Sequence, residues 1–314
     1  MQIIKDTAEF HIKHQTAVAL GKFDGLHRGH QALLSYILKQ KERGLKATVF
    51  TFSPSPTAFF CAKEGKGWQE LTTQQEKRRL FEDMGVDILI EFPLNDRTAA
   101  TEPEQFVRRI LAEQVRAVYI AAGEDLSFGA GGKGNRMLLE SMSEECGYQT
   151  EIIRKLYYGE REISSSYVRE VLGEGKMEIA ESLLGRPYSV LGQVQEGNRL
   201  GRRLGMPTLN LYPADDKLLP PRGVYYARIL FGQKVYAGIT NIGCKPTVND
   251  TQKISVESYL YDFQGDLYGE EIVTELLQFR RPEQKFEDTR ALKARMEEDI
   301  AAGEQFHKEK SLTV

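Results

Sequence analysis

Two histidines three positions apart, His27 and His30, stand in a glycine-rich stretch that reads Gly21-Lys22-Phe23-Asp24-Gly25-Leu26-His27-Arg28-Gly29-His30. An apolar run at 16–20 precedes it and an amphipathic stretch at 31–40 follows. A strand that ends in a glycine turn and hands over to a helix presents open backbone N–H groups to an anion. Two imidazoles at the same mouth suit a polyphosphate whose charge grows during reaction. The chemistry to expect is that of a nucleotide.

Two further stretches point the same way. Ile163-Ser164-Ser165-Ser166-Tyr167-Val168-Arg169 opens a second helix. Its serines cap the helix, its N-terminus faces an anion, and Arg169 can fork onto a phosphate. In the other half of the chain stands Gly197-x-x-x-Gly201-Arg202-x-Leu204-Gly205-Met206-Pro207-Thr208-Leu209-Asn210. Thr208 and Asn210 are two apart, so on an extended chain both face one way. Two hard oxygens on one face suit Mg²⁺, which keeps some waters and borrows its remaining ligands from phosphates. The glycines allow a phosphate close to the backbone.

The elements that must position these residues differ between the halves. In the first, strand-like and helix-like segments alternate. Strands are expected at 16–20, 46–52, 86–92, 117–122 and 150–153, and helices at 31–43, 76–84, 103–113 and 137–146. Gly44 provides a C-terminal cap and Pro103 a helix start. Such alternation predicts an α/β fold, a parallel sheet covered on both faces with its ligand beyond the carboxyl ends of the strands. From about Gly185 the pattern becomes short strands and turns, at 188–195, 223–231, 234–240, 254–263 and 271–279. That spacing predicts a small closed or nearly closed barrel. A final helix over 288–302 carries an apolar stripe of Leu292, Met296 and Ile300. Two domains are expected, at 1–184 and 185–314.

The bulk composition sets bounds. With 314 residues, 41% apolar, 28% charged and a net charge of −3, the chain has no basic field that would point to nucleic acid. Its three cysteines, Cys61, Cys146 and Cys244, lack metal-ligand spacing and read as reduced thiols of a cytoplasmic protein. The first residues lack the long apolar core of a signal peptide, and no window approaches the ~18 apolar residues of a membrane span.

The whole Gly21–His30 string resembles the HxGH nucleotidyltransferases, in their flavin-nucleotide adenylyltransferase branch, which have a Rossmann-like fold. The strings 51–56, 71–73, 123–129 and 163–169 agree with that branch. The resemblance implies that FMN phosphate attacks the α-phosphorus of ATP and that pyrophosphate leaves. It implies phosphate contacts from His27 and His30, with Gly21, Phe23, Gly25, Gly29, Ser164 and Arg169 around the nucleotide, and flavin contacts from Asp125 and Phe128. The second half resembles riboflavin kinases, through the Pro207-Thr208-Leu209-Asn210 element and the strings 219–225, 241–247 and 256–263. This implies Glu257 as general base toward the riboflavin hydroxyl. It also implies Mg²⁺ at Thr208 and Asn210, and ATP near Gly197, Gly201, Arg202 and Gly205. Together the resemblances imply a bifunctional riboflavin kinase and FAD synthetase. The expected partners are riboflavin, FMN and ATP, with no nucleic acid and no membrane.

Four positions depart from the adenylyltransferase pattern: Leu126 where an aromatic is usual, Gly132 near a usual basic residue, Thr98 in place of phenylalanine and Thr101 in place of an apolar residue. In the second half Glu196 occupies a place often held by histidine. The first-domain departures carry an alternative expectation, a kinase whose first domain binds nucleotide but transfers adenylyl groups weakly.

Overall fold

The computed structural model describes residues 1–196, 204–246 and 252–310. Contact density divides the chain into two compact units, Met1–Ser165 and Ser166–Val314.

The first unit is built on six strands: β1 (Gln2–Lys5), β2 (Thr16–Leu20), β3 (Lys46–Ser53), β4 (Ile88–Pro93), β5 (Ala117–Gly123) and β6 (Gln149–Ile153). All pair in parallel, in the spatial order β1-β4-β3-β2-β5-β6. β2 is buried along its whole length. Val18 and Leu20 join one core, with Phe50, Ile90, Phe106 and Ile120, while Ala17 and Ala19 join the other, with Leu33, Leu34, Ile37 and Phe81. A continuous apolar strand is what a sheet covered on both faces requires. After β2 the chain moves outward through β3 and β4, then returns to lay β5 on the other side of β2. The crevice between β2 and β5 is therefore the point where the winding reverses, the usual ligand position in such sheets.

The helices follow the expectations with shifts of physical origin. Helix α1 is Arg28–Lys39, three residues earlier than the apolar periodicity indicates, and a short 3₁₀ turn carries it to Gly44, whose φ of 78° ends it. Helix α2, Pro56–Lys63, is capped by Ser55 and has no buried face, so periodicity gives no sign of it. Helix α3, Gln74–Asp83, starts from a reciprocal cap between Thr73 and Glu76. Helix α4, Pro103–Gln105, continues into π-helical turns over Phe106–Gln114. The single helix expected at 137–146 is two, α5 (Arg136–Ser141) and a turn at Ser143–Cys146. Ser141 and Ser143 donate to the carbonyls of Leu138 and Glu140 at the break.

Helix α6 (Ser165–Gly173) and helix α7 (Met177–Leu184) open the second unit. There β7 (Tyr188–Gln195), β8 (Leu209–Leu211), β9 (Gly223–Phe231), β10 (Lys234–Pro246), β11 (Gln252–Leu260) and β12 (Glu271–Pro282) close an antiparallel barrel in the order β7-β8-β11-β10-β9-β12. Val190, Tyr225, Ile229, Ile242, Val256 and Leu276 are among its most buried residues. β10 runs six residues beyond the expected stop at Thr240, because it stays paired with β11 as far as Gln252.

The last helix, α8, spans Thr289–Glu309 and rests on β9 and β10, with Phe306 stacked on Tyr226 at 4.5 Å. Its most buried positions are Asp299, Gly303 and His307, while Leu292, Met296 and Ile300 are only half-buried. Asp299 can be buried because Arg281 grips it through Nε and Nη2 at 2.9 and 2.6 Å.

Candidate functional site

The loop between β2 and α1 is held open by a set of local constraints. Phe23, Gly25 and Leu26 all take positive φ, at 52°, 82° and 42°. The Phe23 ring is fully buried, edge-on to Phe81 at 5.5 Å and 5.2 Å from the His30 ring. Asp24 turns inward, and its Oδ1 accepts from Leu71 N at 2.7 Å and Thr72 N at 3.4 Å. Gly25 N donates to Thr72 Oγ1 at 3.0 Å, and Ser165 Oγ donates to the Asp24 carbonyl at 2.9 Å. Two separate segments, at 71–72 and at Ser165, thus converge on two residues of the loop.

At the end of the loop His27 occupies the N-cap of α1 in extended conformation without capping it by its side chain. The His27 and His30 rings stack, centroids 3.8 Å apart and tilted by 22°. A Cβ on Gly29 would lie 3.1 Å from the His27 ring, and one on Gly21 would lie 3.0 Å from the Phe23 ring. The structure explains both glycines by the room each leaves for a ring.

Other predicted residues fall as follows. Ser164 and Arg169 are half-buried, at the start of and within α6. Asp125 is exposed after β5, with its Oδ2 3.9 Å from Lys155 Nζ. Phe128 is only 5% exposed and packs against Phe106 with centroids 5.4 Å apart, so it supports the surface from within. The departures from the family pattern have local reasons. Thr98 closes a one-turn helix by bonding Asn95 N and Pro93 O. Leu126 packs on the core, and Gly132 sits at a φ of 66° that disfavours a side chain.

In the barrel, strand register brings two predicted residues together. Asn210 of β8 pairs directly with Glu257 of β11, and Glu257 pairs on its other side with Asn241 of β10. Directly opposed residues project to the same face. That face is the outer one, because the alternate positions Val256, Ser258 and Leu260 are buried in the barrel. Asn210 is 5% exposed and Glu257 half-exposed, and Ser255 Oγ donates to Glu257 Oε1 at 3.3 Å. Thr208 is half-buried just before β8, and its carbonyl accepts from Asn210 Nδ2 at 3.5 Å. This pair offers neutral, hard oxygens, and among the described residues no cluster of His, Cys, Asp and Glu competes as a metal site. Gly205 turns at a φ of 82°, while Gly197, Gly201 and Arg202 lie outside the described residues.

Sequence reasoning missed Thr72, Glu70, Lys77 and Asn241 as individual residues. Thr72 and Asn241 stand in strings that resemble the families, which was a usable signal. Lys77 had none, being a lysine in a charged helix that is nonetheless 2% exposed. Among the described residues no helix is long and apolar enough to cross a membrane.

Two families of known proteins match the chain, one in each half. The FAD synthetase family matches residues 9–167 and the Riboflavin kinase family residues 184–307. A bifunctional riboflavin kinase/FMN adenylyltransferase of Escherichia coli (strain K12) is 35% identical over 291 residues, 92% of either chain. One from Listeria monocytogenes is 33% identical over 283 residues, covering 90% of this chain and 89% of that one. A solved structure described as a macrolide-efflux protein from Streptococcus pneumoniae superposes with a TM-score of 0.79 at 26% identity, over 95% of this chain and 96% of that one. With matches to both families and relatives of this identity along nearly its whole length, the chain belongs to the bifunctional riboflavin kinase/FMN adenylyltransferase family.

Proposed function

We propose that the chain carries riboflavin to FAD in two ATP-dependent steps. In the barrel unit the riboflavin hydroxyl attacks the γ-phosphorus of ATP, Glu257 accepts the hydroxyl proton, and ADP leaves with FMN as the other product. In the sheet unit an FMN phosphate oxygen attacks the α-phosphorus of a second ATP, pyrophosphate leaves, and FAD is formed. That nucleophile is already anionic, so positioning and charge stabilisation carry the second step. The observation that carries the reading is that one chain holds both the stacked His27–His30 pair at a helix mouth and the register-fixed Asn210–Glu257 pair.

The backbone of Gly21, Phe23, Gly25 and Gly29 lines the adenylylation phosphates, with His27, His30, Ser164 and Arg169 as side-chain donors. Asp125 and Phe128 belong to its flavin side, Phe128 through packing. Thr208 and Asn210 hold Mg²⁺ in the kinase, which when bound offsets the charge of the ATP phosphates. Gly197, Gly201, Arg202 and Gly205 adjoin that ATP. Adenylyl transfer is assigned to residues 1–184 and phosphorylation to 185–314, supported by the break between the two family matches. A cytoplasmic location is supported by Cys61, Cys146 and Cys244, which no disulfide joins.

The test is a time course of riboflavin with ATP and Mg²⁺, products separated by chromatography. FMN is expected to rise first and FAD to follow at its expense. FMN accumulation with no FAD at any time overturns the adenylyl-transfer half, and absence of both overturns the whole.

A further inference from the structure

The turn that leads to His27 is held in shape from outside the loop. Phe23, Gly25 and Leu26 stand at positive φ and all three are buried. A bulky residue rarely takes such a conformation, and it persists only where its surroundings over-determine it. Phe23 and Leu26 are anchored by their side chains, which join Leu34, Ile37 and Phe81 in one apolar core. Gly25 has no side chain to anchor. Its N–H donates instead to the Thr72 hydroxyl, Oγ1, at 3.0 Å and from 47 positions away in sequence.

Thr72 is itself buried, in a segment whose every residue is tied down. Glu70 Oε1 hydrogen-bonds Ser55 Oγ, the N-cap of α2. Leu71 N and Thr72 N donate to Asp24 Oδ1 at 2.7 and 3.4 Å. Thr73 caps α3 reciprocally with Glu76. The segment is thus a fixed bracket, and the loop is fastened to it by bonds in both directions: Asp24 accepts from the bracket's amides, and Thr72 accepts from the loop's. A buried N–H that loses its acceptor costs as much as a lost hydrogen bond. The Gly25 amide could recover a partner only by turning away, and His27, whose ring stacks on His30, is the second residue after it.

On the reading that the first unit is the adenylyltransferase, we propose that Thr72 is a positioning residue for adenylyl transfer: its hydroxyl accepts from Gly25 N and so fixes the turn that places the His27–His30 pair. What the position requires is the hydroxyl oxygen, not the threonine methyl.

Thr72→Val keeps the shape and removes the acceptor, whereas Thr72→Ser keeps the acceptor. FAD formation from FMN and ATP would be measured in the full-length chain, below the unfolding midpoint of each variant, with riboflavin phosphorylation followed in the same preparations. Thr72→Val is expected to lose roughly tenfold or more in kcat/KM and Thr72→Ser to stay within about threefold of the parent, with the kinase unchanged in both. The chain has five histidines, few enough for their ring-proton NMR signals to be told apart. Thr72→Val is expected to shift those of His27 and His30 and to leave that of His307 in place, and Thr72→Ser to leave all five in place. Beside an active parent, four results overturn the proposal and leave the adenylyl-transfer reading standing: Thr72→Val active within threefold, Thr72→Ser as impaired as Thr72→Val, a loss of activity with the His27 and His30 signals unmoved, or a Thr72→Val chain whose first unit is unfolded at the assay temperature, since the hydroxyl would then hold the fold rather than the loop. A parent that makes no FAD overturns both.

Discussion

Asn210 and Glu257 are direct partners across two antiparallel strands, so the residue proposed for the metal and the residue proposed for the proton share one face of the barrel. A shift of one position in that register would send one of them inward. The two residues proposed for the kinase step are thus brought together by strand pairing, over 47 positions of sequence, rather than by a loop.

Replacing Glu257 with Gln keeps the shape and removes the proton acceptor. Riboflavin phosphorylation should fall by about 10²–10⁴-fold. FAD formation from supplied FMN should stay near normal, since no residue of the His27–His30 loop is altered. Measuring both rates on one preparation checks the assignment, and a kinase turnover close to that of the parent would remove Glu257 from its role.

His30→Ala should give the reverse pattern. It removes one preorganised donor and one member of the ring stack, which for a developing phosphate charge is worth roughly 100-fold in rate. Adenylylation measured by pyrophosphate release should drop by that order while phosphorylation is retained. Equal loss of both activities would mean that the two sites do not act separately.

Gly29→Ala separates stability from activity. Alanine is the better helix residue by about 1 kcal/mol, so α1 should gain or hold stability. The added methyl would stand 3.1 Å from the His27 ring and push it out of the stack. The expected result is an unchanged or raised unfolding midpoint with FAD formation reduced by about tenfold. An active variant would show that the ring has room to move.

His307 makes the second unit sensitive to acid. Burial lowers its pKa, opposed by its bond to the Gly238 carbonyl and aided by Arg228, so the folded unit prefers the neutral ring. The unfolded chain takes up the proton first. Stability is therefore full above the ordinary histidine value of 6.5 and declines as pH falls below it, until the folded ring titrates in turn. Thermal inactivation of the kinase at pH 7.5 and 5.5 should show a drop that is smaller in His307→Gln. An equal drop in the two proteins would clear His307 of any part in it.

Much of this was legible in the sequence, for reasons that differ by element. β2 and β3 announce themselves because strands buried on both faces must be apolar throughout. The barrel strands do so because turns punctuate them regularly. β1 has four residues, mostly exposed, and α2 buries no face, so neither leaves a pattern. In α8 the rule that buried means apolar misleads: Asp299 is deep because Arg281, far away in sequence, neutralises it. The buried Glu70 is hidden for the same reason, since Ser55 and Lys77 reach it from two other segments. The Gly21–His30 loop itself was readable because its features are local: a glycine at positive φ, a helix start, and two histidines within ten residues.

The closure of the barrel has a consequence in time. β7 pairs with β12, joining Tyr188 to Leu276, so the kinase cannot complete its wall until residues near 282 have left the ribosome. Every strand of the parallel sheet lies before residue 154 and can assemble while the barrel is still being synthesised. During synthesis the unit proposed for the second step can therefore complete its sheet before the unit proposed for the first closes its wall. A messenger cut short in the barrel would leave the parallel sheet complete and the barrel wall open.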